Sequence, residues 1–359
     1  MKYRRFLFIM FTAFFLAILA ACSSDPSSEE SQSEETVKSD DNTTITLKVA
    51  SYFADNSTAY RYSVKPWMDQ VIEKTNGQVK FEYYPSEQLG KAADLLRLTG
   101  DKVADISMLP TIYFPSEMPL TAALTNMPGL SVSANQGSMG YFGLLQRSSD
   151  LLEIDYLKNG VRPLLAQNSP PYQIWTKNKE IRVPGDLKGM KIKTAGGISS
   201  EFFKSIGSVP VAVAFPELYE AVDRDVIDAI SLDATPLDTS GVAEVINHGV
   251  ITNYGTSLVA LVINEQVWQS LPGNVKTIMA QAGEDITGQV GKSSDKETNA
   301  FLEEFKKNKN VPNLSEEELN QWKNLGEEFQ ELWIKEHETE DLKYGELLDM
   351  YKESLAKYK

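Results

Sequence analysis

The segment from Asn274 to Lys307 has no proline, and its apolar residues recur at helical spacing. Val275, Ile278, Met279, Ala282, Ile286 and Val290 fall on one stripe. Its 34 residues at about 1.5 Å each reach about 50 Å, longer than one small domain. The rest of the chain must therefore offer more than one core to this helix. Gly283, Gly288 and Gly291 are positions at which it could bend.

The rest of the chain alternates strand and helix patterns, and does so twice. In the first round, Ile45 to Val49 alternates apolar and polar residues. Tyr60, Val64, Trp67, Met68, Val71 and Ile72 follow at helical spacing, and Val79, Phe81 and Tyr83 alternate again. A short helix lies between Gly90 and Gly100, then a strand over 103–108. The second round opens near Pro170, with strands expected at 172–176, 191–193, 209–215 and 227–232 and helices around Phe202 and over 217–224. Leu258 to Asn264 adds one more apolar strand. Ser315 and Glu318 form a capping box opening a last helical region, whose Leu319, Trp322, Leu325, Phe329 and Leu332 are expected to face inward. This order implies α/β architecture with largely parallel sheets. A chain of 359 residues is long enough for about two such domains.

Composition removes several function classes. Thirty-five Lys and Arg against 50 Asp and Glu give a formal charge of −15, which disfavours nucleic acid as a partner, because polyanion binding needs clustered cations. One Cys and two His, His248 and His337, exclude a disulfide framework and Cys/His zinc sites. No nucleophile-elbow, P-loop, HExxH or GxGxxG string is present.

The first 22 residues carry Lys2, Arg4 and Arg5, then a 16-residue apolar run from Phe6 to Ala21 broken only by Thr12. This is short for a membrane span and has the flanks of a signal peptide. It ends Leu19-Ala20-Ala21-Cys22, which resembles the bacterial lipobox; an uncleaved signal anchor is the other reading. Residues 1–21 are read as the signal peptide and Cys22 as the lipidated residue, anchoring the protein on the extracytoplasmic face of the cell membrane. Residues 23–44 contain seven Ser and seven Asp or Glu, a composition unable to bury a core, so 22–44 reads as a tether.

Four strings, in order and at consistent spacing over roughly 45–300, resemble one family. They are Lys74-Thr75-Asn76-Gly77 to Lys80 with Tyr84-Pro85-Ser86-Glu87-Gln88-Leu89-Gly90; Asp186-Leu187-Lys188-Gly189-Met190-Lys191-Ile192-Lys193; Ile206-Gly207-Ser208-Val209-Pro210 with Phe215-Pro216-Glu217-Leu218-Tyr219; and Val226-Ile227-Asp228-Ala229. Together they are similar to the solute-binding proteins of tripartite ATP-independent periplasmic (TRAP) transporters, the DctP-like family. The resemblance implies a two-domain periplasmic-binding-protein-like α/β fold, with hinge strands and a long helix crossing both domains. Domain I would hold 45–169 and 258–298, and domain II 170–257 and 299–359. It further implies a cleft that closes over a small organic solute, no enzymatic reaction, no cofactor and no metal. A membrane permease of two proteins would receive the solute from a monomeric receptor.

The family pattern ends the Asp-Leu-Lys-Gly string with an Arg that holds a ligand carboxylate in two parallel hydrogen bonds; here that position is Lys193. A second Arg is common where this chain has Gln173, and a polar residue often stands where it has Leu232 and Asp233. Lys193 then reads either as a single carboxylate contact or as an internal partner of Asp233. A sharper expectation is a solute that is not a simple dicarboxylate and carries an amine or hydroxyl group. Tyr52, Phe53, Tyr172, Trp175 and Phe215 supply aromatic walls, with core packing as the plain alternative. Gln88 and Tyr113 complete the candidate ligand residues. Three other functions stand beside the transport receptor: a similar module serving sensing or another transporter, an extracellular enzyme using acidic pairs such as Asp223/Asp225 or Asp233/Asp238, and a structural surface lipoprotein.

Overall fold

The computed structural model describes residues 44–57 and 59–359. The expected signal peptide, Cys22 and the expected tether up to residue 43 lie outside the described residues.

Ten strands are described, in two five-stranded sheets. The first contains β1 (Ile45–Ala50), β2 (Val79–Tyr84), β3 (Ile106–Pro110), β4 (Val161–Asn168) and β10 (Leu258–Asn264), in the order β2-β1-β3-β10-β4. The second contains β5 (Gln173–Thr176), β6 (Lys191–Lys193), β7 (Val209–Val211), β8 (Ala229–Leu232) and β9 (His248–Val250), in the order β7-β6-β8-β5-β9. Both are mixed rather than largely parallel. β1 runs parallel to β2 and β3, and β6 parallel to β7 and β8, whereas β10 and β5 are antiparallel to both of their neighbours. The antiparallel strands are those that connect the sheets: the chain leaves the first sheet through β4 into β5 and returns through β9 into β10.

Both sheets are covered on both faces, and the alternation of side chains shows it. Met108 and Leu261 face a core with Trp67, Val71, Met279 and Ile286, while their neighbours Leu109, Ala260 and Val262 face another with Tyr141 and Leu144. In the second sheet Ile174 and Ile192 face Phe202 and Phe203, while Trp175 and Ile230 face Leu218, Leu237 and Phe305. The helix Gly273–Asn308, 36 residues long, gives Met279, Ala282 and Ile286 to the first sheet's core and Phe305 to the second's. It therefore crosses between the two. Gly283 and Gly291 serve close packing rather than a break: the helix is continuous, and Cβ atoms there would lie 1.8 Å from the Leu164 carbonyl oxygen and 2.5 Å from Asn135 Cα.

The segments linking the sheets pair with one another. Ser169 N–H donates to Ser257 O, Tyr172 N–H to Gly255 O and Tyr254 N–H to Tyr172 O, at 2.8, 3.0 and 2.9 Å. The helix Glu316–His337 opens on the expected box, with Ser315 N–H to Glu318 Oε2 at 2.7 Å and Glu318 N–H to Ser315 Oγ at 3.3 Å. Trp322 and Phe329 face inward, but Leu319 and Leu332 are about half exposed. The last helix, Tyr344–Ala356, packs on the helices Ala134–Leu145 and Pro119–Asn126.

Candidate functional site

Strand direction decides where side chains of both sheets meet. Tyr52 and Phe53 follow the carboxyl end of β1, Gln88 that of β2 and Tyr113 that of β3. Lys193 ends β6 and Asp233 follows β8, its parallel neighbour. Tyr172 precedes β5, which is antiparallel to β8, so it stands at the same edge as Asp233. Carboxyl ends of parallel strands are where open α/β sheets place ligand contacts. The two edges face each other: the Tyr52 phenol feels both Tyr113 and Tyr172, and Tyr172 feels Asp233. A cavity of about 230 Å³ lies between Ile112 and Ala123 from one side and Gly196, Ile198 and Glu201 from the other. An open cavity of about 660 Å³ borders the β6 and β7 ends at Thr194, Ser200, Pro210 and Val211. A further cavity of about 380 Å³, walled by Thr252, Tyr254 and Trp322, lies among the C-terminal helices; none of the three cavities is lined by Tyr52, Tyr172, Lys193 or Asp233 themselves.

Burial sets the electrostatics. Asp233 is 7% exposed. Removal from water pushes its carboxyl up to about 7; the Thr235 backbone N–H, its own backbone N–H and Lys193 act against this. Thr235 N–H donates to Asp233 Oδ1 at 3.2 Å. Burial holds the Lys193 ammonium below the usual lysine range, opposed by Asp233. The two groups act on each other but remain more than 4.0 Å apart, and the Lys193 side chain has no hydrogen bond or ion pair among the described residues. Tyr52 and Tyr172 are raised, chiefly by burial. The Tyr52 and Phe53 rings meet at 4.0 Å between centroids.

Two expected contacts are engaged elsewhere. Gln173 Nε2 donates to Asn253 Oδ1 at 2.8 Å and Pro171 O at 3.1 Å, and its Oε1 accepts from Thr252 N–H at 2.7 Å and Asn253 N–H at 3.0 Å. These bonds fill the amide, so Gln173 ties the linking segments together and has nothing left for a solute. Trp175 is fully buried, packs edge-on against Phe305 at 5.3 Å and donates Nε1–H to Leu232 O at 2.9 Å. It is a core residue. Gln88 is exposed, Tyr113 is 57% exposed and Phe215 46%.

Sequence reasoning missed Thr235, whose backbone orients Asp233, and Ser257, whose hydroxyl faces the Tyr172 phenol. The string Asp233-Ala234-Thr235-Pro236 carried a signal for the first, since an Asp accepting from the backbone two residues on makes an Asx-turn.

Two α/β sheets linked by paired crossing segments, with charged and aromatic side chains gathered at facing strand ends, define a solute-binding architecture. The profile of DctP, bacterial extracellular solute-binding protein family 7, matches residues 49–337, and the chain belongs to that family. The C4-dicarboxylate-binding periplasmic protein DctP of Rhodobacter capsulatus is 25% identical over 249 residues, 66% of this chain and 71% of that protein. A TRAP solute-binding protein from Rhodoferax ferrireducens, solved with copurified benzoate, superposes with a TM-score of 0.74 at 23% identity, covering 88% of this chain and 98% of that one. DctP6 of Bordetella pertussis, a receptor binding pyroglutamic acid, superposes with a TM-score of 0.70 at 19% identity, covering 87% and 100%. The fold is that of TRAP solute-binding proteins, and the family's task is to bind a small solute outside the cytoplasm.

Proposed function

We propose that this chain is the receptor of a TRAP-type secondary transporter. It captures one small organic solute between two lobes and hands it, chemically unchanged, to a two-protein membrane permease. One lobe is built on the first sheet, residues 45–169 with 258–298. The other is built on the second sheet, residues 170–257 with 299–359, and its last helix clasps the first lobe. The solute contacts are Tyr52, Phe53, Tyr172, Lys193 and Asp233, with Gln88, Tyr113 and Phe215 at the rim. Acylation of Cys22 anchors the receptor to the extracytoplasmic face of the membrane, where it works as a monomer.

The observation that carries this reading is the half-buried Lys193 ammonium, without a partner among the described residues, at the strand ends where the two sheets converge. A desolvated charge costs free energy unless something pairs with it, and a solute anion would. Native mass spectrometry of the purified protein should find a retained small acid, recovered unchanged on denaturation. Small-angle scattering should give a smaller radius of gyration with that solute than without it, because closure is stabilised only by contacts made across the cleft. An unchanged radius with saturating solute, or a solute recovered as a reaction product, counts against the reading.

A further inference from the structure

We propose that the solute is a small zwitterion, an amino acid in the broad sense, whose carboxylate meets Lys193 and whose ammonium meets Asp233. The proposal rests on the receptor reading above and deepens it.

At the strand ends two opposite charges are neighbours without forming an ion pair. Lys193 ends β6 and Asp233 follows β8, yet their charged groups stay more than 4.0 Å apart, and the Lys193 side chain has no hydrogen bond or ion pair among the described residues. Lysine is a compact point charge with three donors, suited to one carboxylate rather than to a two-bond clasp. Asp233 is almost fully buried, and the Asx-turn through Thr235 N–H fixes its orientation. Burial pushes its carboxyl up to about 7, against the opposing pull of that N–H, its own backbone N–H and Lys193, so the carboxylate is the main form above about pH 7. The titratable groups acting on it are Lys193 from β6 and Tyr172 at the head of β5. The object complementary to this pair carries one charge of each sign. A diacid would satisfy Lys193 and set its second carboxylate against Asp233, which repels it. A plain monoacid would offer the buried Asp233 carboxylate no opposite charge. The Tyr52–Phe53 ring pair and Tyr172 give the body of the solute an apolar wall.

Calorimetry on matched sets tests the proposal. The amino acids are alanine, β-alanine, 4-aminobutyrate and phenylalanine. The hydroxy acids are lactate, 3-hydroxypropionate, 4-hydroxybutyrate and phenyllactate, and the diacids are malonate, succinate and glutarate. At least one amino acid should bind tenfold or more tightly than its matched hydroxy acid and diacid, and Asp233→Asn should erase that preference. In the unmodified protein, affinity for the amino acid should rise about tenfold from pH 6 to pH 8, as the ionised fraction of a group titrating at about 7 grows. This second readout does not depend on the folding of the variant. A diacid or hydroxy acid binding most tightly, no binding by any amino acid, or affinity that falls as pH rises, as it would if protonated Asp233 donated to a carboxylate, each overturns the proposal. Tight binding of a hydroxy acid or diacid leaves the receptor reading intact; that reading fails separately, if no retained solute is found and none induces closure.

Discussion

Gln173 and Asn253 hold each other by two hydrogen bonds, Nε2 to Oδ1 at 2.8 Å and backbone N–H to Oε1 at 3.0 Å. Asn253 sits at φ 57°, in the left-handed region that a non-glycine residue occupies only when its surroundings hold it there. The amide of β5 thus fixes the turn through which the chain starts back towards the first sheet. Gln173→Ala would remove four hydrogen bonds and leave Thr252 and Asn253 N–H groups without their acceptor. At about 1 kcal/mol net for each bond, the loss should be about 2–4 kcal/mol. Urea denaturation should show a clearly lower midpoint, with solute affinity changed little for the protein that remains folded. An unmoved midpoint together with a large loss of affinity would instead make Gln173 a ligand contact.

Gly283 and Gly288 lie in the same helix and should respond to alanine with opposite sign. At Gly283 a Cβ would lie 1.8 Å from Leu164 O, a backbone atom of β4 that cannot turn aside. Gly283→Ala must push the helix off the sheet, and a cost of about 3 kcal/mol or more is expected. At Gly288 the nearest atom is Met139 Sδ at 3.4 Å, the movable part of a flexible side chain. Helix propensity then decides, and Gly288→Ala should gain up to about 1 kcal/mol. Thermal melting of the two variants beside the parent checks the pair. A loss at Gly288 as large as at Gly283 would show that packing around Met139 is as rigid as the β4 backbone.

Gly249 separates the core role of Trp175 from a ligand role. A Cβ at Gly249 would come within 2.6 Å of the indole ring, which Phe301 and Phe305 already wall in. Gly249→Ala should therefore cost about 1–3 kcal/mol through overpacking. Solute affinity should hold, because neither residue is among the proposed solute contacts. Isothermal titration alongside chemical denaturation distinguishes the two effects, and a loss of affinity without a loss of stability would return Trp175 to the site.

Much of this was legible in the residues, for identifiable reasons. Strands such as β1 and β10 announce themselves by alternation or by an unbroken apolar run, and the long helix by its stripe and lack of proline. Lys193, Asp233, Tyr172 and Tyr52 come together because each lies next to a strand end. The hydrogen bonds of Gln173 and the core packing of Trp175 were not legible, because a strand's period of two says which residues share a face but not what that face meets. The helix Ala134–Leu145 escaped notice because Gly137, Gly140 and Gly143 lower its propensity. Those glycines match tertiary contacts: Cβ atoms there would strike Asn168, Leu355 and Ser354, contacts that local pattern cannot reveal. The mixed sheets were misread for a similar reason, since strand direction depends on how the chain returns between the sheets.

Asp155 predicts a pH dependence of stability with a definite sign. It is fully buried beneath the helix Pro119–Asn126, whose Leu120 and Thr121 N–H groups donate to its carboxylate at 3.3 and 2.5 Å. The buried Tyr141 and Tyr156 hydroxyls lie nearby, 2.9 Å from each other. Burial outweighs these bonds and raises the carboxyl from 3.8 to about 6. A folded-state value above the unfolded one means that the folded protein binds the proton more tightly. The stabilising contribution is then present below about pH 4 and is lost as pH rises through about 6. The difference of about two units corresponds to about 3 kcal/mol from this group alone. Asp155→Asn keeps one acceptor oxygen for the helix and carries no charge, so it should remove this dependence. Denaturation curves at pH 4, 5, 6 and 7 should show the variant gaining on the parent as pH rises, by up to about 3 kcal/mol at pH 7. A gap that stays constant across that range, or one that widens toward acid, would show that the Leu120 and Thr121 hydrogen bonds outweigh burial and keep Asp155 ionised in the folded protein.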